Sequence, residues 1–309
     1  MIITVTLNPA IDKTLETDRL VSGGLNRIRN VHSDAGGKGI NVSKTIRELG
    51  GESIATGFLG GESGKIISSA LNKRGISNDF IWVGNETRTN TKVVEDDGTV
   101  TEFNEPGPVI AEEQIEQLLC KLSEWAGKNT LVVLSGSAPR GMDTYIYARI
   151  IRLLHERGAK VLLDADGELF SKSFSSRPDM MKPNRMELEQ FAQYGHHASM
   201  EELLCSSREF RDAGTETVLI SMGAEGALFA RGAYEAFAPA LPVQICSTVG
   251  AGDAMAAALA FAWEKKFGAE ETFRLCMAVS AGAVMTNGTK PPDRGTVDRL
   301  MEKVSISRI

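Results

Sequence analysis

Short apolar runs alternate with amphipathic stretches along most of this chain, and that rhythm constrains the fold more than any other feature. Apolar runs at Ile2–Leu7, Ser53–Leu59, Thr130–Leu134, Lys160–Leu163 and Val218–Ser221 have the length and β-branched content of buried strands. Helical periodicity appears between them, at about Gly39–Leu49, Ser63–Lys73, Glu112–Trp125, Thr144–Glu156 and Met200–Ala213. Strands that are apolar on both sides need a layer on each face, and intervening helices supply it. The expected fold is α/β, a doubly wound, mostly parallel sheet with helices on both faces. Two helices rich in small residues, Asp253–Lys265 and Glu270–Thr286, and a short one from Thr296 close the chain.

Two stretches break the rhythm. Asp12–His32 is polar and holds Gly23-Gly24, and Thr87–Phe103 alternates around Asp96-Asp97-Gly98, a hairpin signal. Neither reads as a helix-covered strand. Both are expected in a small antiparallel sheet over one end of the main sheet, either a flap that excludes water from a reaction or an ordinary surface hairpin. With no repeat or low-complexity linker, the chain is expected to be one domain, residues 1–309, with a β lid from discontinuous segments at about 12–33 and 87–104.

Composition narrows the function classes. A chain of 309 residues suffices for one large α/β core, and a net charge of −6 offers no broad basic surface for nucleic acid. The N-terminus runs straight into a strand pattern without a signal-peptide layout, and no uncharged apolar run approaches the roughly 18 residues of a membrane span. The four cysteines are scattered; Cys120, Cys205 and Cys276 sit in helical patterns, where buried free thiols are expected. A reducing, cytoplasmic setting fits. The four histidines form no ligand cluster, and His196-His197 reads as a solvated loop.

The chemistry concentrates at residues 247–256, Ser-Thr-Val-Gly-Ala-Gly-Asp-Ala-Met-Ala. A strand-like run is expected to end at Cys246, followed by the glycine turn Gly250-Ala251-Gly252, then Asp253 and a helix. A glycine-rich turn opening a helix leaves unpaired N–H groups pointing one way, which makes an anion site. Asp253 reads two ways: as a carboxylate poised to take a hydroxyl proton beside an incoming phosphate, or as a helix cap. Other signatures fail. Gly37-Lys38 is followed by Gly39 where a Walker A loop needs a hydroxyl, and His155-Glu156 is not followed by a second zinc-binding histidine.

Three further segments complete a pattern: Asn8-Pro9-Ala10-Ile11-Asp12, Ala35-Gly36-Gly37-Lys38-Gly39-Ile40-Asn41-Val42, and Lys182-Pro183-Asn184-Arg185-Met186-Glu187. Together with Gly250-Ala251-Gly252-Asp253 they give the chain a resemblance to the ribokinase-like sugar kinases, and within them to the phosphofructokinase-B family. Within that family the chain is most similar to the bacterial 1-phosphofructokinases and tagatose-6-phosphate kinases, chiefly in Gly23-Gly24-Leu25-Asn26-Arg27 and residues 36–42. The first of these, with Lys38 and Thr87-Arg88-Thr89-Asn90, supports a phosphorylated sugar. The resemblance implies ATP-dependent phosphorylation of D-fructose 1-phosphate at O6. Tagatose-6-phosphate kinase and 6-phosphofructokinase stay open as alternatives, as does a non-catalytic sugar-phosphate sensor.

It also implies roles for individual residues. Asp253 would be the general base, with Gly250, Ala251 and Gly252 offering amides to the transferred phosphoryl group. Asp12, Gly37 and Asn41 would meet the sugar, and Lys38, Arg27, Arg88 and Ser137 its phosphate. Lys182, Asn184, Ser221, Gly223, Gly226, Gly252 and Asn287 would border the nucleotide. Asn184 and Glu187 would organise Mg²⁺ through water, although Asn followed by Glu three residues on is equally a capping box. Asn287-Gly288 is equally an ordinary helix C-cap. A homodimer through the β lid is expected, with no nucleic-acid or membrane partner.

Overall fold

The computed structural model describes residues 1–309. The chain runs β1 (Ile2–Thr6), β2 (Ala10–Thr17), β3 (Asn30–Gly36), α1 (Lys38–Glu48), β4 (Ile54–Gly60), α2 (Gly61–Lys73), β5 (Ser77–Asn78), β6 (Ile81–Val83), β7 (Arg88–Glu95) and β8 (Val100–Asn104). It continues through α3 (Glu112–Trp125), β9 (Leu131–Ser135), α4 (Ile146–Glu156), β10 (Lys160–Asp164), α5 (Gly167–Phe174), β11 (Met180–Met181), α6 (Arg185–Ala192), α7 (Met200–Asp212) and β12 (Thr217–Ser221). A 3₁₀ turn (Gly223–Glu225) leads to β13 (Ala227–Arg231) and β14 (Tyr234–Ala238), then α8 (Ala251–Lys265), α9 (Ala269–Val284), α10 (Arg294–Met301) and β15 (Ser307–Arg308).

The main sheet has strand order β15-β14-β13-β12-β11-β10-β9-β1-β4-β5, with β6 also on β4. Pairing is parallel from β12 to β5 and antiparallel at the other edge. Successive side chains of a strand face opposite sides. Ile2 of β1 and Leu131 and Val133 of β9 enter one core, with α1, α8, α9 and α10. Ile3 and Val5, with Val132 and Leu134, enter the other, with α3, α4 and α7. Each core holds 33 buried residues, so the sheet is covered evenly on both faces. Burying one such aliphatic side chain is worth about 1.5–3 kcal/mol. The run of alanines in α8 lets that helix lie closely between α1 and α9.

A second sheet has strand order β3-β2-β7-β8. It is mixed, and the expectation of an antiparallel sheet is corrected here: β2 pairs with β3 and β7 with β8 antiparallel, but β2 pairs with β7 in parallel. The reason is topological. β2 leaves the main sheet after β1, and β7 leaves it after β6, a strand parallel to β4, so both emerge in one direction.

Other local expectations also change. Residues 239–249 form no strand before the glycine turn. Pro239 and Pro242 lack the N–H donors a strand ladder needs. Cys120 and Cys205 lie on solvent-facing sides of α3 and α7 and are exposed; among the cysteines only Cys276 is buried. No helix is long and apolar enough to cross a membrane.

Candidate active site

A cleft of about 360 Å³ opens where the main sheet meets the second sheet. Its walls come from three sources. Thr6, Ser135, Gly136 and Ser137 follow from the carboxyl ends of β1 and β9, where open α/β sheets place ligands. Gly37, Lys38 and Asn41 open α1, and Gly250 and Asp253 open α8. Asp12, Arg88, Asn90, Lys92, Glu102 and Asn104 come from the second sheet. Val249 is the one hydrophobic residue in the lining, so the cleft suits a charged, hydroxylated ligand.

Asp253 does not cap its helix. The N-cap is Gly250, held at φ 85°, a conformation that suits glycine, and no side chain caps this end. Asp253 points instead across to α1, where its Oδ2 accepts a hydrogen bond from Nδ2 of Asn41 at 2.9 Å. Burial first, and then the nearby charge of Asp164, push its pKa up to about 6, against the Asn41 hydrogen bond and the attraction of Lys38 and Lys182. A carboxylate tuned to that range is a competent base near neutral pH.

The amides beside it form the anion site. The N–H groups of Gly250, Gly252 and Asp253 have no backbone acceptor, whereas that of Ala251 reaches Thr248 O at 3.4 Å. The free donors at this helix start are therefore those of residues 250, 252 and 253, a shift of emphasis from Ala251 to Asp253 itself. Lys38 faces this end of the cleft. Burial opposes its charge, but Asp164, Asp166 and Asp253 outweigh burial and raise its pKa. Lys182 lies behind, buried in an ion pair of 3.0 Å with Asp164. That pair, with Lys38, keeps Asp164 ionised although burial alone would protonate it.

The second sheet furnishes the other end. Asp12 accepts from Nδ2 of Asn90 at 3.1 Å, and burial raises its pKa. Arg88 donates to the backbone carbonyl oxygens of Asn8 and Glu105, which fixes the guanidinium against the cleft wall. Lys92 pairs with Glu102 at 3.0 Å. Three of the six buried side-chain polar atoms without a partner are Oγ1 of Thr6, Oδ1 of Asn8 and Oδ1 of Asn90. All three residues line the cleft, and buried orphan polar atoms there are ready acceptors for ligand hydroxyls. Sequence reasoning assigned no role to Thr6, Asn8, Asn90, Lys92 or Asp164. The signal for Asn90 and Lys92 was available: residues 88, 90 and 92 of a strand share a face.

The remaining candidates lie outside this cleft's lining. Arg27 is exposed in the loop between β2 and β3. Asn184 caps α6 by accepting from Glu187 N at 2.8 Å, and Oε2 of Glu187 accepts from Asn184 N at 2.8 Å, a complete capping box. Ser221 is brought beside Asn184, with its N–H donating to Pro183 O at 3.1 Å. Gly223 has open space around it, but Gly226 is required by the chain's own backbone: a Cβ there would meet Ala238 O at 2.0 Å. Asn287 is exposed in the turn after α9, whose C-cap is Met285 rather than the Asn-Gly pair.

A doubly wound sheet with an anion cradle and a buried carboxylate at its carboxyl edge is the frame of a small-molecule phosphotransferase. The profile of the pfkB family carbohydrate kinases matches residues 5–294. The 1-phosphofructokinase of Haemophilus influenzae is 34% identical over 312 residues, covering 100% of this chain and 98% of its own. The 1-phosphofructokinase of Escherichia coli K12 is 33% identical over 304 residues, covering 98% and 97%. The crystal structure of phosphofructokinase-2 from Escherichia coli in complex with fructose-6-phosphate matches with a TM-score of 0.91 and 25% identity, over 98% of each chain. This chain belongs to the pfkB family of carbohydrate kinases. It is a sugar-phosphate kinase of ribokinase-like fold, a phosphotransferase with ATP as phosphoryl donor.

Proposed function

We propose that the protein transfers the γ-phosphoryl group of ATP to O6 of D-fructose 1-phosphate, giving fructose 1,6-bisphosphate. One observation carries the reading: a single cleft joins a buried carboxylate and free helix-start amides at one end to cations at the other. Asp253 takes the proton of the accepting hydroxyl. The amides of Gly250, Gly252 and Asp253 meet the charge on the transferring group, joined by Lys38, which is reassigned here from the sugar's own phosphate because its charge is held by Asp164, Asp166 and Asp253. Arg88 and Lys92, on the second sheet, meet the phosphate already on the sugar. Asp12, Asn8 and Asn90 accept from its hydroxyls. The second sheet acts as the lid of a single kinase domain and excludes water from the transfer.

The choice among ketohexose phosphates rests on likeness to proteins named 1-phosphofructokinase. Fructose 6-phosphate is the competing substrate, because the phosphofructokinase-2 with the same fold binds it and a furanose offers a primary carbon at each end. Coupled-assay rates with fructose 1-phosphate, fructose 6-phosphate and tagatose 6-phosphate decide the matter. The expected order puts fructose 1-phosphate first in kcat/KM, and a higher value for either competitor overturns the assignment while leaving the kinase intact.

The nucleotide is assigned to the face bordered by Ser221, Gly223, Asn184 and Asn287, and Mg²⁺ to water-mediated contacts with Glu187. The fit is chemical. Oε2 of Glu187 is engaged by the cap, the second oxygen has no protein donor, and Mg²⁺ takes few protein carboxylates and keeps its waters. Bound there, the metal supplies positive charge for the ATP phosphates. Two chains are proposed to pair through the second sheet, where Val31, Val100 and Phe103 are each more than half exposed. This would also give the exposed Arg27 a neighbouring cleft to serve. A single monomeric species in sedimentation would exclude the pairing. Three exposed free cysteines fit a reducing, cytoplasmic location.

A further inference from the structure

Lys44 lies one turn beyond Asn41 on α1, and nothing in the reaction described so far uses it. It is 5% exposed, and its Nζ has no salt-bridge partner. A buried ammonium without a carboxylate is costly to a fold, so its retention calls for a reason. Burial pushes its pKa down to about 8; the charge of Asp34 opposes this, Arg74 adds to it, and Asp12 and Asp253 oppose it more weakly. The Nζ donates instead to two neutral oxygens, the carbonyl of Ala35 and, at 3.2 Å, Oδ1 of Asn41. The other end of that same amide, Nδ2, donates to Oδ2 of Asp253.

These contacts have a direction. An ammonium can only donate, and an ionised carboxylate can only accept. An amide between the two satisfies both in one orientation, with its oxygen toward Lys44 and its nitrogen toward Asp253. We infer that Lys44 is a positioning residue for phosphoryl transfer: it locks the Asn41 amide so that the amide donates to Asp253, holding that carboxylate ionised and aimed into the cleft. The inference rests on the reading of Asp253 as the base. Without Lys44 the amide is free to turn over. Turned, it sets an oxygen against the carboxylate, an arrangement that only the protonated acid tolerates. The other charged groups facing Asp253 stay in place: Asp164, which opposes ionisation, and Lys38 and Lys182, which favour it.

Lys44→Met tests this, because it keeps the length of the side chain and removes only the donor. The acidic limb of the kcat–pH profile should move up by about one pH unit, with kcat near pH 6 falling roughly fivefold and KM changing far less. Lys44→Arg, again a pure donor, should restore the profile. In an Asn41→Ala background, Lys44→Met should move the limb no further, since the relay is already cut. The carboxyl titration of Asp253, followed by carbon NMR with Asp253→Asn to assign the signal, reads the same event without turnover. An unmoved titration in folded Lys44→Met overturns the inference whatever the rates do. A titration that moves while the rate profile does not keeps the Lys44 relay and overturns Asp253 as the base.

Discussion

The two ends of the cleft are built on different principles. At the transfer end the functional groups sit on the first turns of α1 and α8, on the end of β10 and just after β11, and they are buried among one another: Asp253 at 8% exposure, Asn41 at 6%, Lys182 at 4%, Asp164 at 2%. Each is held by a named partner, and their charges are tuned mutually. At the other end Arg88, Asn90 and Lys92 sit on a four-stranded sheet that is half exposed; Arg88 is held by backbone carbonyls, Asn90 by the Asp12 carboxylate and Lys92 by the exposed Glu102. Rigid, desolvated groups suit charge that develops in a transition state. A more exposed sheet at the mouth of the cleft suits admitting and releasing substrate. The transfer end should therefore govern kcat and the sheet end KM.

Asp253→Asn is the strongest way to break this contrast. Loss of a general base costs roughly 10²–10⁴ in kcat, with KM little changed. A variant that keeps more than about a tenth of wild-type kcat removes Asp253 from the mechanism. The same substitution has a stability signature whose sign is fixed by the raised pKa. A carboxyl that binds its proton more tightly when folded favours the fold below its unfolded pKa, about 3.9, and loses that contribution as pH rises through about 6. At pH 7 the ionised Asp253 is a burden on the fold. The Asn variant should thus melt no lower than the wild type at pH 7, and a lower melting temperature would refute that account.

Arg88→Ala probes the other end. Losing a charge-assisted contact to phosphate is worth about 1.5–3 kcal/mol, which corresponds to roughly a tenfold to hundredfold rise in KM. A fall in kcat with KM unchanged would reverse the division between the two ends. Glu187→Gln should have the smallest effect and lies at neither end. It should raise the Mg²⁺ concentration for half-maximal rate, with a stability loss of about 1 kcal/mol or less from the weakened capping box. A stability loss with unchanged Mg²⁺ dependence would reduce Glu187 to a cap.

Much of this is legible in the sequence. The strand–helix rhythm fixed the layers, because a strand apolar on both faces must be covered on both. Glycine motifs marked the two helix starts, because only a chain free of bulky side chains can turn so tightly and leave its amides open. Asp253 is marked by the glycine turn before it, Asn41, Lys38 and Arg88 by the family resemblance, and all four border one cleft.

Other features needed the tertiary structure, and each has a physical reason. Parallel pairing of β2 with β7 joins residues 78 apart, and no local pattern encodes which strands meet. The exposure of Cys120 and Cys205 depends on which helix face meets the core. Asp253 reads locally as a cap and becomes something else because Asn41, 212 residues away, supplies its hydrogen bond. Its ionisation is set first by burial and then by Asp164, Asn41, Lys38 and Lys182, contributed by separate parts of the chain. Residue type and spacing determine which backbone turns can open onto an anion. Burial and charge, which set how acidic a group is, arise only when distant segments exclude water from one another.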